Sequence, residues 1–244
     1  MIITTLNGLI EALREAYPIN KVLVSNTHKD RKIDTIIDLC RKNRVLFQFV
    51  PLQAVDRKAG PGHQGVFAEI SPVQFYTLTE ILADIKTGLL LILDSINDTG
   101  NMGAIIRTAA AAAVDGIIFS QRNAAPINET VLKTSAGSVL KVRLAPSKNL
   151  RNDIELLKQD DFWIVGADKS GTIPYYEYDF SYKTALIVGN EHKGISPLLK
   201  KNADQLVFIP HAAEVESLNV SAAAAITLFE ALRQRAGNDK RKSI

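Results

Sequence analysis

From residue 89 onward, short apolar runs alternate with stretches of helical spacing. Runs of strand composition occupy 89–94, 116–119, 139–144, 163–167, 185–189 and 205–209, and helical patterns lie between most of them, notably at 103–113, 150–159 and 219–235. Strands that are apolar along their whole length and are separated by helices indicate a parallel sheet covered by helices on both faces. In open sheets of this class the ligand site lies at the carboxyl ends of the strands. The alternation therefore predicts an α/β fold with a site at that edge.

The residues before 77 have the pattern of a separate, smaller α/β unit. Helical spacing at 7–17 and 30–42 alternates with strand-like runs at 21–25, 45–50 and 64–70, and a glycine- and proline-rich loop is expected at 56–63. Thr77 and Glu80 have the spacing of a capping box that would begin a short helix. These changes of pattern predict four segments: a first domain at 1–76, a linker at 77–88, a main domain at 89–236 and a basic tail at 237–244.

Composition narrows the classes of protein that fit the chain. Among its 244 residues Cys40 is the single cysteine, so no intrachain disulfide forms, which fits a reducing compartment. The longest apolar runs are far shorter than the roughly 18 residues of a membrane span, and the first 13 residues lack a basic leader. A cytoplasmic protein without a membrane segment is expected. The histidines lack metal-ligand spacing, which predicts no metal site.

The net charge of +3 is unevenly distributed. Lysine and arginine exceed aspartate and glutamate in residues 1–80 and 232–244, whereas the middle of the chain is slightly acidic. Contact with a polyanion such as nucleic acid is therefore expected from the N-terminal part and the tail. A frayed, solubilising end explains the basic tail equally well.

The first polar segment, 94–107, leaves a strand and enters an alanine-rich helix. Asn101 is expected at the start of this helix, with Arg107 about a turn and a half further on. An arginine among alanines and isoleucines is costly to bury unless it meets a partner or a substrate phosphate. A capping asparagine and an arginine on the exposed edge of the helix remain the alternative interpretation.

Two further polar segments follow predicted strands. In the first of them, 187–196, the pattern Gly-x-Glu-x-x-Gly matches neither a dinucleotide fingerprint nor a phosphate-binding P-loop. This argues against a nicotinamide or nucleotide enzyme, and a tight turn explains the glycines equally well. In the other, 208–221, Ser217 and Asn219 precede the last helix. Only one of them can cap it, and backbone amides at such a start can hold a carboxylate or phosphate.

In this order and spacing the three segments resemble the three motifs of the SpoU (TrmH) family of RNA 2′-O-methyltransferases. The matching residues are Asn101-x-Gly103-x-x-x-Arg107, Gly189-x-Glu191-x-x-Gly194, and Ile209-Pro210 with 217–221. The N-terminal part resembles the ribosomal-protein-like substrate-binding domain of the RlmB-type rRNA subgroup through 7–13 and 63–66. The chain departs from the family where Asp98 is followed by Thr99-Gly100 instead of proline, and at Asn190 and His192.

The resemblance implies a SPOUT-type fold, in which the C-terminal part of the parallel sheet forms a deep trefoil knot. It also implies a homodimer that binds S-adenosylmethionine in the knot. Carried over residue by residue, it implies cofactor contacts at Gly189, Asn190, Gly194, Ile209, Pro210 and Leu218. It implies catalytic roles for Asn101, Arg107, Glu191, Ser217 and Asn219, with Glu191 pairing with and orienting Arg107. RNA contacts are expected from Arg57, Lys58, His63 and Gln64 in the N-terminal domain.

The activity implied by the resemblance is methyl transfer to a ribose 2′-hydroxyl, most specifically that of a guanosine in large-subunit (23S-type) rRNA. Two alternatives stay open. One is a tRNA ribose methyltransferase of the same family, which the N-terminal domain disfavours. The other is a non-catalytic RNA-binding or assembly factor on the same fold, which the intact polar positions of the three motifs disfavour.

Overall fold

The structure, a computed structural model, describes residues 1–212 and 217–239. Of the predicted basic tail at 237–244, residues 240–244 lie outside the described residues. Within the described part of the chain, no helix combines the length and the apolar character required to cross a membrane.

The elements follow one another as strands and helices along the chain. The strands are β1 (Ile2–Ile3), β2 (Ile19–Ser25), β3 (Phe47–Val50), β4 (Val66–Ile70), β5 (Leu89–Asp94), β6 (Gly116–Ser120), β7 (Leu144–Ser147), β8 (Trp163–Ala167), β9 (Ile173–Pro174), β10 (Thr184–Gly189) and β11 (Gln205–Phe208). The helices are α1 (Leu6–Arg14), α2 (Arg31–Lys42), α3 (Leu52–Ala59), α4 (Leu78–Leu82), α5 (Thr99–Ala111), α6 (Glu129–Thr134), α7 (Leu150–Gln159), α8 (Pro197–Asn202) and α9 (Val220–Asp239). Short 3-10 turns cover Ser138–Leu140 and Tyr175–Glu177.

The chain divides into two compact units. The first consists of 1–74 and 126–141, and the second of 75–125 and the residues from 142 onward. The first unit contains a four-stranded sheet in the order β1-β4-β2-β3, in which β4 runs antiparallel to its neighbours and β2 pairs with β3 in parallel. Its helix α2 begins at the Asp30 cap and buries Ile33, Ile36 and Cys40, which share one face at helical spacing. Cys40, the single cysteine, therefore packs in the core of this unit.

Residues 126–141 pack with the first unit, although the sequence analysis placed them inside the main domain at 89–236. The backbone N–H of Ile2 donates to the Glu129 carboxylate at 3.1 Å, and Lys141 forms an ion pair with Glu11. Burial of Val131 is complete. These long-range contacts join chain segments that lie more than a hundred residues apart, so local periodicity carries no sign of them.

The second unit contains seven strands, all parallel, in the order β7-β6-β5-β10-β8-β11-β9. Every residue of the central strands β5 and β10 is buried, as expected for a sheet that is covered on both faces. The predicted parallel α/β sheet is confirmed, and the capping box of Thr77 and Glu80 is present at the start of α4. The strand order brings the carboxyl ends of β10, β8 and β11 next to one another.

Three local expectations were wrong. The strand predicted at 139–144 is a 3-10 turn followed by β7, because Gly137 adopts a left-handed conformation with φ 87° that begins a tight turn. The loop predicted at 56–63 begins only at Gly60, since α3 is held by its buried Val55 and ends at that glycine. The strand predicted at 163–167 was expected to be buried along its length, but Trp163 is 52% exposed because it is the first residue of β8.

Candidate active site

A cavity of about 370 Å³ lies in the second unit at the carboxyl edge of its sheet. Its lining comes from the ends of β8 and β10, from the loops that follow β8, β10 and β11, and from the start of α9. Five of the six predicted cofactor residues line it, namely Gly189, Asn190, Gly194, Ile209 and Leu218. Of the predicted catalytic residues, Glu191 and Ser217 line it as well. Pro210 is exposed beside Ile209.

The loop after β10 is held in a tight, closed shape by Asn190. The side-chain amide of Asn190 donates to the carbonyl of Ser95 at 3.0 Å, and its Oδ1 accepts from the backbone N–H groups of His192 and Lys193. The backbones of Asn190 and Gly194 exchange two hydrogen bonds, and Gly194 has a left-handed φ of 65°. Asn190, a departure from the usual family pattern, thus fixes the loop that forms one wall of the cavity.

A hydrogen-bonded network joins the three polar segments. The side-chain amide of Asn101 donates to Glu191 Oε1 at 2.6 Å, and the amide of Asn219 donates to Asn101 Oδ1 at 2.9 Å. Asn101 is in the first turn of α5, where its backbone N–H donates to the capping residue Asp98 at 2.7 Å. Asn101 therefore meets Glu191, which lies 90 residues away along the chain, and Asn219, which lies 118 residues away, beside the cavity.

Asn219 also settles which residue caps the last helix. Its Oδ1 accepts from the backbone N–H of Ser221 at 2.8 Å and from the Ser221 hydroxyl, which is a capping geometry for α9. Ser217 is exposed and lines the cavity. Because Asn219 caps the helix, the Ser217 hydroxyl is available for another role.

Arg107 stands apart from this network, contrary to its predicted pairing with Glu191. Within the described residues the Arg107 side chain is exposed and has no recorded hydrogen bond or ion pair, and Glu191 accepts from Asn101 instead. The reason is helix geometry. Arg107 follows Asn101 by six residues of α5, about 1.7 turns, so the two side chains point about 120° apart.

Sequence reasoning missed a buried ion pair in the cavity wall. Asp168 directly follows β8, its side chain is 4% exposed, and it accepts from Lys200 Nζ at 2.7 Å. It also accepts from the backbone N–H groups of Ser170 at 2.9 Å and Ile195 at 3.3 Å. Asp168 could have been found from the sequence, because it is an acidic residue at the carboxyl end of an apolar strand, where a ligand site is expected. Lys200, within α8, gave none.

The environment of Asp168 lowers its pKa. Burial by itself raises the pKa of this carboxyl, but the hydrogen bonds from Lys200, Ser170 and Ile195 together outweigh burial and hold the pKa below its usual range. The carboxylate is therefore ionised at neutral pH. It ties the loop after β10 to α8 through Ile195 and Lys200.

Replacing Lys200 by methionine is expected to destabilise the protein by about 1–3 kcal/mol at neutral pH, because a buried carboxylate loses a charged donor. A depressed folded pKa contributes stability above the unfolded pKa and loses it as the pH falls. The difference in unfolding free energy between the wild-type protein and the variant should therefore shrink below about pH 4. Urea unfolding of both proteins across pH measures it, with the exposed neighbour Lys201→Met as the control. A deficit that persists unchanged at low pH would contradict this role of the pair.

The residues predicted to contact RNA lie in the first unit, and each of the four makes a contact within it. His63 Nδ1 accepts from the N–H of Gly65 at 3.0 Å, so Nε2 carries the proton that donates to Asp56 at 2.7 Å. Gln64 Oε1 accepts from the N–H of Leu6 at 2.8 Å. Arg57 and Lys58 are exposed on the last turn of α3. Arg57 Nε donates to the carbonyl of Gln53 at 3.3 Å, and Lys58 Nζ lies 5.5 Å from the centroid of the Phe67 ring.

Comparison with protein families finds two matches that divide the chain in the same order as the sequence analysis. Residues 88–229 match the SpoU rRNA Methylase family. Residues 6–76 match a domain described as RNA 2′-O ribose methyltransferase substrate binding.

Similar proteins extend over most of the chain. A Staphylococcus saprophyticus protein assigned to the TrmH family of tRNA/rRNA methyltransferases is 34% identical over 239 residues, covering 96% of each chain. The crystal structure of an AdoMet-bound rRNA methyltransferase from Sinorhizobium meliloti is 25% identical with a TM-score of 0.77, covering 95% of this chain and 86% of that one. The A. aeolicus TrmH/SpoU tRNA modifying enzyme is 32% identical with a TM-score of 0.57, covering 66% of this chain and 82% of its own. The chain therefore belongs to the SpoU rRNA methylase family of RNA methyltransferases.

Proposed function

We propose that this protein transfers a methyl group from S-adenosylmethionine to a ribose 2′-hydroxyl of RNA. The observation that carries the proposal is the network of Asn101, Glu191 and Asn219, which joins all three motifs beside one cavity. The AdoMet-bound relative from Sinorhizobium meliloti supports the choice of methyl donor.

The residues that line the cavity fit this donor. Its volume of about 370 Å³ is within the range of small-molecule sites. Apolar side chains for an adenine ring and a methionine chain come from Val188, Ile209, Leu218, Val220 and Ala223. Gly189, Asn190 and Gly194 bring backbone polar groups to the wall, and Pro210 continues the segment after Ile209. When bound, S-adenosylmethionine supplies an electrophilic methyl group on a sulfonium.

The residues of the chain position the hydroxyl and stabilise its developing charge. The Arg107 guanidinium is a cation with planar N–H donors, so we assign it to stabilising the forming alkoxide and to holding a phosphate. Ser217 and Asn219 support the target ribose. Glu191 and Asn101 hold the loop after β10 against the start of α5. Much of the catalysis is then the alignment of the hydroxyl with the methyl group.

The substrate we favour is a guanosine of large-subunit rRNA, as in the RlmB-type subgroup. The substrate-binding match over 6–76 supports an RNA-binding first unit of ribosomal-protein type, with contacts from Arg57, Lys58, His63 and Gln64. A tRNA is the second candidate, because the A. aeolicus tRNA modifying enzyme is 32% identical to this chain. That similarity covers 66% of the chain.

We also propose the family's trefoil knot, a homodimer and a cytoplasmic location. Strand β10 lies between β5 and β8, and α9 returns to contact α5 and β10, which is compatible with a C-terminal segment that threads back through the sheet. The limits predicted from the sequence, 1–76, 77–88 and 89–236, remain proposals for the functional division of the chain. Residues 126–141 nevertheless pack in the first unit.

The test combines the purified protein with tritiated S-adenosylmethionine and total RNA from a strain that lacks its gene. We expect label in large-subunit rRNA, and mapping of ribose methylation should then place it at one nucleotide. Label in tRNA alone would select the second candidate. RNA binding without any transfer would identify a non-catalytic factor and overturn the proposal.

A further inference from the structure

Basic side chains gather at the rim of the cavity from three neighbouring loops. We call Lys169, His192, Lys193 and His211 the basic rim; all four are exposed and line the cavity. They follow β8, β10 and β11, whose carboxyl ends are adjacent because β8 lies between the other two strands. The strand order, and not sequence proximity, brings these groups together.

The acidic groups that line the cavity are already engaged. Asp168 is paired with Lys200 at 2.7 Å, and Glu191 accepts the amide of Asn101 at 2.6 Å. Within the part of the chain that the structure describes, neither Lys169 nor Lys193 has a recorded side-chain ion pair. Among the described residues, no carboxylate therefore neutralises these two ammonium groups at the mouth of the cavity.

The positive charge of the basic rim could attract either S-adenosylmethionine or RNA, and the charge of each substrate decides between them. S-adenosylmethionine carries an ammonium and a sulfonium against one carboxylate, so its net charge is positive and a cationic rim gives it no overall attraction. RNA carries a phosphate on each side of every internal ribose. When a 2′-hydroxyl is within about 3–3.5 Å of the methyl group, those phosphates lie at the mouth of the cavity. Lysine is an effective point-charge partner for phosphate.

We propose that the basic rim binds the backbone phosphates that flank the target ribose. This inference rests on the proposed function, since it requires the cavity to hold the methyl donor. It makes the second unit an RNA-binding surface in its own right, whereas the sequence assigned RNA contacts to the first unit and the tail. Lys169 and Lys193 are the residues that carry the attraction.

The test measures RNA binding and donor binding separately in Lys169→Glu, Lys193→Glu and the double variant. The control is Lys86→Glu, an exposed lysine before β5, at the opposite edge of the sheet. RNA binding is followed by the anisotropy of a fluorescein-labelled single-stranded RNA of mixed sequence between about 50 and 200 mM KCl. Donor binding is followed by equilibrium dialysis of tritiated S-adenosylmethionine.

We expect each rim variant to weaken RNA binding by about 3- to 10-fold and to reduce the salt slope by about 0.7, as for one lost phosphate contact to a single strand. Donor binding should not weaken, because a carboxylate at the rim does not repel a donor of net positive charge. Lys86→Glu should have a clearly smaller effect on RNA binding. RNA losses equal to those of Lys86→Glu would overturn the inference. Weakened donor binding with RNA binding intact would assign the rim to the donor instead. Failure of the wild-type protein to take up the donor would count against the proposed function.

Discussion

Replacing Arg107 by alanine is expected to reduce methyl transfer to RNA by about 100- to 1,000-fold while leaving methyl-donor binding unchanged. Removing one group that stabilises a developing oxyanion costs about this much in other enzymes. The Arg107 side chain is exposed and lies outside the network of Asn101, Glu191 and Asn219, so its loss leaves those hydrogen bonds in place. The measurement is single-turnover transfer of a tritiated methyl group, with donor binding followed by equilibrium dialysis.

The control for this variant is Arg151→Ala, which removes an exposed arginine on α7 that pairs with Glu155 at 3.0 Å. Substitutions of exposed side chains change stability by only about 0.5 kcal/mol, so both variants should unfold near the wild-type temperature. Arg107→Lys should recover part of the activity, because lysine keeps the charge but not the planar fork of donors. Wild-type turnover in Arg107→Ala would remove this residue from the mechanism.

Replacing Gly189 by alanine is expected to abolish uptake of the methyl donor, and with it methyl transfer. A Cβ at this position would overlap the carbonyl group of Gly194 and the backbone nitrogen of Ile195. These are backbone atoms of the closed loop that forms the cavity wall, so no flexible side chain can turn away. The loop must shift, which opens the hydrogen bonds between Asn190 and Gly194. Equilibrium dialysis with tritiated S-adenosylmethionine measures the loss.

A matched glycine separates this effect from general instability. Gly60 has a left-handed φ of 68° and open space around its Cβ position, so Gly60→Ala strains the backbone without a collision. That strain should cost about 1–3 kcal/mol of stability and leave donor binding intact. Thermal unfolding of both variants shows whether Gly189→Ala is still folded when its binding is measured. Normal donor affinity in a folded Gly189→Ala protein would place the donor elsewhere.

The central elements of the second unit were predictable because burial leaves a local trace. Leu89–Asp94 and Thr184–Gly189 contain no polar side chain except Asp94 and Thr184 at their ends, since each strand is buried on both faces of the sheet. The rule that ligands bind at the carboxyl ends of parallel strands then pointed to the loop after Gly189. Five of the six predicted cofactor residues line the cavity at this edge. Their contacts with the donor remain a prediction.

Other features of the site could not be read from the chain. The direction of Arg107 depends on where α5 packs, and the family pattern alone led to a predicted pairing with Glu191 that is not present within this chain. The partnership of Asp168 with Lys200 spans 32 residues and joins a loop to a helix, so neither residue signals the other. Residues 126–141 look like part of the main domain along the chain, yet they are buried with the first unit.

By itself the sequence determined most of the strands and helices and the three polar segments, because hydrophobic periodicity and helix caps are short-range consequences of burial and backbone hydrogen bonding. Only the tertiary structure decided which segments meet. The order β5-β10-β8-β11 gathers Glu191, Asp168 and the basic rim at one cavity, and the packing of α5 and α9 brings Asn101 to Asn219. Strand order and helix packing arise from contacts between residues far apart in the chain, and no local pattern records them.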